Sequence, residues 1–160
     1  MANLNRLTAA RNSKLGDKGE TLAERCLKKH GFVDVRNLNN ERANHPFADL
    51  YAEKGSVRYV VSVKTRNEFE VGGGVNSSYK LTRNEKRLRE VEAAYSAQAA
   101  WVAVCVNIDA KTFSAYFGLV KDLQTFKRIP MNIEARGAYY CLADDEPWPF
   151  DAGLKNTYEP

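Results

Sequence analysis

The stretch YVVSVKTRN, residues 59–67, decides the fold class that this sequence predicts. It is rich in β-branched residues, which is typical of a buried strand. Because side chains alternate between the two faces of a strand, Ser62 and Lys64 lie on the same face. A lysine within such a strand is costly unless a carboxylate compensates its charge. The stretch therefore predicts an acidic partner for Lys64 from a neighbouring element.

The adjacent strand is predicted in FADLYAE, just before the turn KGS. A hairpin turn at KGS pairs the two strands in antiparallel orientation. The register then sets Asp49 opposite residue 61 or one of its immediate neighbours, close to Ser62 and Lys64. Asp49 is therefore the first predicted partner of the lysine.

A second carboxylate comes from the helix predicted in GDKGETLAERCLKKHGF, residues 16–32. At 100° per residue its apolar side chains form one arc, and its lysines and Arg25 lie opposite. Glu20 lies at the edge of the apolar arc, whereas Glu24 lies further toward solvent. Gly31 is the predicted C-cap.

The other elements complete a single α/β layer structure. A capping box formed by Thr82 and Glu85 predicts a second helix over residues 83–98. Three further strands are predicted in FVDVRNL, AWVAVCVNI and FSAYFGLV, and the second of these is apolar enough to be central. The expected fold class is therefore α/β, with a central mixed β-sheet flanked by helices.

No linker or internal repeat divides the chain, so we expect one domain over residues 15–160. Its core is expected over residues 16–120, and residues 121–160 form a C-terminal extension that runs over the surface. Residues 1–14 form an expected basic N-terminal arm. No apolar run reaches the roughly 18 residues that a membrane-spanning helix needs.

The net charge of +4 is unevenly distributed. Residues 1–90 contain 18 Lys and Arg against 11 Asp and Glu, whereas residues 91–160 contain 6 against 9. A basic first half fits a polyanionic partner such as nucleic acid. Three scattered cysteines and two histidines disfavour a zinc site or a disulfide framework. We expect buried, inert thiols and a reducing, cytoplasmic setting.

The carboxylates of Glu20 and Asp49, together with Lys64, match a recognisable chemical arrangement. Two carboxylates can hold Mg²⁺, whose open positions accept water and a phosphate oxygen. A neighbouring lysine can orient the water or stabilise charge at phosphorus. The arrangement therefore predicts hydrolysis of a phosphodiester bond.

The same three segments, GDKGETLAERCLKKHGF, FADLYAE and YVVSVKTR, resemble the PD-(D/E)xK nuclease superfamily, which has the restriction-endonuclease-like fold. The resemblance is to Holliday-junction-resolvase-like and homing-endonuclease-like members, and it covers residues 16–66. It implies a homodimeric endonuclease that requires Mg²⁺ or Mn²⁺ and acts on DNA. It implies Glu20 and Asp49 as metal ligands and Lys64 as the catalytic lysine.

The motif departs from the family at Ser62, where an Asp or Glu is usual, so the chain has an S-x-K variant. Ser62 would then support catalysis through a water, and Glu24 is the nearest substitute for the missing acid. Glu53 and Glu68 are also candidates, but they lie further along their strands, and only a bend would bring either of them to the site. The alternative is that the site has degenerated, leaving a module that binds nucleic acid or protein.

Four cations are candidate nucleic-acid-binding residues: Arg66, Lys80, Arg83 and Arg87. They follow the predicted catalytic strand or the glycine-rich loop VGGGVN, and cations there would contact phosphates. Simpler interpretations remain open. The cations would be a solvated helix face, Glu24 would pair with Lys28, and Ser62 would be a small filler. A basic protein unrelated to nucleic acid is the third possibility.

Overall fold

The structure is a computed structural model that describes residues 2–41, 47–70, 72–81, 84–124 and 127–150, with side chains from residue 15 onward. The strands of these residues are β1 (Val33–Asn37), β2 (Leu50–Lys54), β3 (Val57–Asn67), β4 (Ser78–Lys80), β5 (Gln98–Asn107), β6 (Thr112–Leu119), β7 (Arg128–Pro130) and β8 (Tyr140–Pro147). The helices are α1 (Ala2–Lys29), α2 (Leu38–Glu41), α3 (Glu85–Tyr95) and α4 (Ile133–Gly137). None of them is long and apolar enough to span a membrane.

Six strands form one mixed sheet in the order β1-β2-β3-β5-β6-β8. β3 and β5 run parallel, and the other neighbours in the sheet are antiparallel. β5 lies in the interior of the sheet with eight consecutive buried residues, as its apolar sequence predicts. β4 and β7 form a separate two-stranded sheet. The expected α/β class with a central mixed sheet is confirmed.

The first helix confirms its predicted apolar face but begins earlier than predicted. Its buried residues are Leu15, Leu22, Ala23, Cys26 and Leu27. α1 starts at Ala2, so the backbone of residues 2–14 is helical where a loose arm was expected. Gly31 has φ of 85°, and the amide of Phe32 donates to the carbonyl of Leu27. Gly31 therefore ends the helix as predicted.

The hairpin between β2 and β3 turns within the predicted segment KGS, and it does so over two residues, since Lys54 pairs with Val57 across Gly55 and Ser56. β2 is shorter than predicted and begins at Leu50. Phe47 has φ of 64°, which is left-handed backbone rather than extended strand. The chain therefore turns away from β3 immediately before β2, and Asp49 lies at that point.

Each face of the sheet is covered by a separate hydrophobic core. On one face, α1 packs on alternate residues of β3 and β5, including Val61, Val63, Val102 and Val104. On the other face, α3 and the β4–β7 sheet pack on Val60, Trp101, Ala103 and Cys105. The alternation of side chains along β3 and β5 accounts for this division.

Three predictions outside the hairpin need correction. The N-cap of α3 is Asn84, whose side chain accepts from the amide of Arg87, and Thr82 lies outside the described residues. The C-terminal segment is not confined to the surface, because β8 adds to the sheet beside β6 and buries Leu142 and Ala143. Cys26 and Cys105 are buried as expected, but Cys141 is exposed because β8 is an edge strand.

Candidate active site

The candidate site lies where β2 separates from β3. Leu50 pairs with Val61, so Asp49, one residue before the strand, is level with Ser62. The amide of Asp49 donates to the carbonyl of Val61 at 2.8 Å. Its carboxylate Oδ2 accepts from the amide of Val63 at 2.7 Å. The side chain therefore takes the place of the missing strand residue, which fixes a carboxylate beside Ser62 and Lys64.

Glu20 reaches the same point from α1. Gly19, the preceding residue, packs directly on the side chain of Thr65, and a Cβ atom at this position would collide with it. The absence of a side chain at Gly19 therefore allows α1 to approach β3 closely. The close approach leaves Glu20 partly buried beside Asp49, as its position at the edge of the apolar arc predicts.

Two asparagines that the sequence analysis did not single out hold the carboxylates together. The Nδ2 atom of Asn39 donates to Asp49 Oδ1 at 3.3 Å and to Glu20 Oε1 at 3.4 Å. Asn37 also hydrogen-bonds to Glu20, and its Oδ1 accepts from the amide of Asn39 at 2.9 Å. The asparagine-rich run NLNN, which begins at the last residue of β1, is the only signal in the sequence that marks them.

The clustered charges shift the pKa values of Glu20 and Lys64. Burial and then the negative charge of Asp49 raise the pKa of Glu20 to about 7, and the hydrogen bond from Asn37 opposes this. Burial lowers the pKa of Lys64; the carboxylates of Asp49 and Glu20 act against this shift, and Arg66 adds to it. Lys64 therefore has the acidic neighbours that its burial requires.

Ser62 is 1% exposed and lies beside Trp101 of β5 in the strand register. No third carboxylate takes its place, because no group of three His, Cys, Asp or Glu side chains in the described part of the chain can hold a metal. Glu24 pairs with Lys28 at 3.1 Å, Glu53 with Arg58 at 3.8 Å and Glu68 with Arg136 at 3.1 Å. All three candidate substitutes are therefore engaged elsewhere.

The candidate nucleic-acid-binding cations that the structure describes lie on three different elements. Arg66, Lys80 and Arg87 are exposed, on β3, β4 and α3 respectively. Arg66 Nη1 donates to the carbonyl of Thr65 at 2.7 Å. Arg83 lies outside the described residues. Arg66 is on the same strand face as Lys64, and its charge contributes to the lowered pKa of that lysine.

The donor set of the site fits a hard divalent cation. Carboxylate oxygens are ligands that Mg²⁺ accepts, and two carboxylates held side by side gain from a cation between them. Glu20 and Asp49 would hold the ion, and a bound ion would polarise a phosphate oxygen. The ammonium of Lys64 can donate to a phosphate oxygen or to a water beside it.

No family model matches this sequence, and no curated protein matches it. Among solved structures the chain is similar to the Holliday junction resolvase Hjc of Archaeoglobus fulgidus, an archaeal hyperthermophile. The TM-score is 0.51 at 17% sequence identity, over 76% of this chain and 89% of that one. The sheet order, the covering helices and this similarity identify the fold of the chain as restriction-endonuclease-like.

Proposed function

We propose that this protein is a metal-dependent endonuclease that hydrolyses phosphodiester bonds of DNA. One observation carries the proposal: Glu20, Asp49 and Lys64 interact at the point where β2 leaves β3. Like charges held together and partly shielded from water are costly to keep without a ligand. A cation between the carboxylates would remove that cost, which supports a binding role over a structural one.

Each residue has a separate role in this proposal. Glu20 and Asp49 hold the cation, and Asn39 keeps their oxygens turned toward each other. Lys64 orients the attacking water or stabilises the charge that builds on the phosphate. Ser62 is buried on the same strand face as Lys64, two residues before it, and supports the water. Arg66, Lys80, Arg83 and Arg87 contact phosphates of the bound DNA, and two copies of the chain act as a homodimer.

The direct test is cleavage of a linear duplex and a four-way junction with Mg²⁺ or Mn²⁺. Asp49→Asn keeps an oxygen for the amide of Val63 but removes the charge, and Lys64→Met keeps the apolar stem. Each change lowers the cleavage rate by at least about 10³-fold, because charge stabilisation of several kcal/mol is removed. Denaturing gels under single-turnover conditions measure the rate.

Two exposed residues in the turn between β5 and β6 are matched controls. Asp109→Ala removes a carboxylate and Lys111→Ala removes a lysine, both away from the site. Both controls retain the wild-type rate. An absence of cleavage by the wild-type protein on every substrate, with either metal, would rule out the nuclease proposal.

A second candidate function rests on the burial and neutrality of Ser62. Because the described residues bring no three metal-ligating side chains together, the fold would serve as a catalytically inactive module that binds nucleic acid. This module binds DNA in a salt-dependent manner without turnover. Ser62→Glu separates the two candidates by metal titration and cleavage assay. In a working nuclease the added carboxylate preserves or raises metal affinity, whereas in the inactive module it generates no cleavage.

A further inference from the structure

The two-stranded sheet of β4 and β7 carries an unusual charge arrangement on its exposed side. Lys80 and Arg128 are directly opposite each other in the register, and both are exposed. Lys127, the residue before Arg128, is also exposed, and its carbonyl accepts from the amide of Leu81 at 2.8 Å. We call these three cations the basic sheet patch. About 47 residues of chain separate its two strands, so the patch exists only in the folded protein.

This patch lacks an internal counter-charge. Like charges directly opposite each other in a sheet are destabilising. In the parts of the chain that the structure describes, none of the three cations forms an ion pair. The neighbouring Arg136 differs, because it is paired with Glu68 at 3.1 Å. An anion from outside the protein would therefore relieve the repulsion between Lys80 and Arg128.

The buried side of the small sheet fixes its position relative to Lys64. Tyr79 and Ile129 are fully buried in the core that contains Trp101, Ala103 and Cys105. The hydroxyl of Tyr79 donates to Cys105 Sγ at 3.0 Å. Lys64 is in register with Ala103 and Arg66 with Cys105, and residues in register share a face. The small sheet therefore packs on the face of the main sheet that carries Lys64 and Arg66, at the usual sheet-to-sheet spacing of about 10 Å. Lys80 and Arg128 are on its outer side.

The geometry of the patch fits a phosphate group. Cross-strand side chains begin about 5 Å apart, so both Lys80 and Arg128 can reach a single phosphate. Arg128 Nη1 donates to Ser78 Oγ at 2.9 Å, which orients the guanidinium and leaves its other N–H groups for a ligand. Planar guanidinium groups are well suited to phosphate oxygens.

We propose that the basic sheet patch of Lys80, Lys127 and Arg128 binds the phosphate backbone of DNA on the side of the main sheet that carries Lys64 and Arg66. This inference rests on the proposed function, which assigns Lys80 to phosphate contact and leaves the second strand unassigned. It adds Lys127 and Arg128, which no motif in the sequence marks.

The test is a titration of a 30-base-pair duplex and a four-way junction over a range of salt concentrations, by fluorescence anisotropy. Lys127→Ala/Arg128→Ala weakens binding roughly 5-fold for each phosphate interaction removed at 0.15 M salt, and lowers the salt slope by about 0.9 per interaction. Lys28→Ala/Lys29→Ala removes the same charge from the C-terminal end of α1 and is the matched control. The control leaves both the slope and the affinity near those of the wild type.

A second variant tests the orientation of Arg128 without changing net charge. Ser78→Ala removes the hydroxyl that accepts from the guanidinium, and it weakens DNA binding about 2- to 5-fold with an unchanged salt slope. If Lys127→Ala/Arg128→Ala does not fold, Ser78→Ala tests the inference in its place.

The outcomes separate this inference from the proposed function. If the wild type binds and cleaves DNA but Lys127→Ala/Arg128→Ala matches its control in affinity and slope, the patch is not a DNA contact and the inference is wrong. If the wild type binds neither the duplex nor the four-way junction at low salt, both the inference and the proposed function are wrong. A reduced slope in the patch variant alone supports the inference, whether or not the chain cleaves.

Discussion

Two charged clusters lie along β3, and they differ in how their charges are balanced. Near the middle of the strand, the carboxylates of Glu20 and Asp49 are held together with Lys64. Just after its end, Glu68 forms an ion pair with Arg136, whose side chains are 22% and 13% exposed. The first cluster keeps like charges together, whereas the second is internally neutral.

The difference separates a cluster whose charges are not balanced from an ion pair that stabilises the fold. The Glu68–Arg136 pair joins the end of β3 to α4, and Arg136 also donates to the carbonyl of Met131 at 2.8 Å. The charges of this pair therefore balance each other without a ligand. The pKa of Glu20 is raised because burial and the charge of Asp49 disfavour its ionised form. The ionised cluster therefore lowers the stability of the folded protein. Such an arrangement is typical of a functional site.

The largest effect on stability is expected from Gly19→Ala, which acts on the first cluster alone. The added Cβ collides with Thr65 and moves α1 away from β3, which lowers the free energy of unfolding by about 2 kcal/mol. Glu20 moves with the helix, so the change also weakens metal binding. Urea denaturation and calorimetric metal titration measure the two effects.

Gly16→Ala is the matched control on the same helix. A Cβ at this position meets nothing within 4 Å, so the change raises stability by about 0.5–1 kcal/mol through helix propensity. Equal effects of the two substitutions would contradict the close approach of α1 to β3 at Gly19.

A smaller loss is expected from breaking the second cluster. Arg136→Met leaves Glu68 without its partner in a partly buried position, which lowers the free energy of unfolding by about 1–2 kcal/mol. Urea denaturation measures this loss, and metal affinity stays at the wild-type value. A change in metal affinity would mean that the two clusters are coupled. Lys28→Ala breaks an exposed pair and costs much less, at most about 0.5 kcal/mol.

The smallest effect is a pH dependence of the metal-free protein. The pKa of Glu20 is about 7 in the folded state, above its ordinary 4.5, so the folded state binds the proton more tightly. The cost of ionising Glu20 is absent below pH 4.5 and fully present above about pH 7. Between these limits stability falls as pH rises, by about 1 kcal/mol after screening by solvent.

Glu20→Gln removes this fall, since glutamine carries no charge at either pH. Thermal unfolding in a chelator at pH 5 and pH 7.5 measures the difference for both proteins. The same slope in Glu20→Gln and in the wild type would assign the pH dependence to another group.

Much of the site follows from local sequence, because its central contact is made within one hairpin. The turn at Gly55 and Ser56 fixes the register, and the register alone brings Asp49 level with Ser62. Glu20 was predicted from its angular position on the helix, which depends only on helical geometry. The start of β2 was not predicted, because the left-handed backbone of Phe47 has no signal such as glycine.

Contacts between distant segments could not be predicted in this way. Asn39 reaches both carboxylates only because α2 lies against the end of β2, and polar side chains of this kind are common in loops. The pairing of β4 with β7 joins two three-residue strands, which are too short to carry a pattern. β8 was missed because its charged, proline-containing sequence resembles a surface segment.

Local sequence alone accounts for the class of the fold, the strand that carries Lys64 and the position of Asp49 beside it. Alternation, helical periodicity and a two-residue turn are local properties, so they can be derived from neighbouring residues. Three arrangements depend instead on tertiary packing: α1 approaches β3 at Gly19, Asn39 bridges two carboxylates, and Lys127 and Arg128 lie across from Lys80. They arise from the close packing of segments far apart in the chain, which local patterns do not encode.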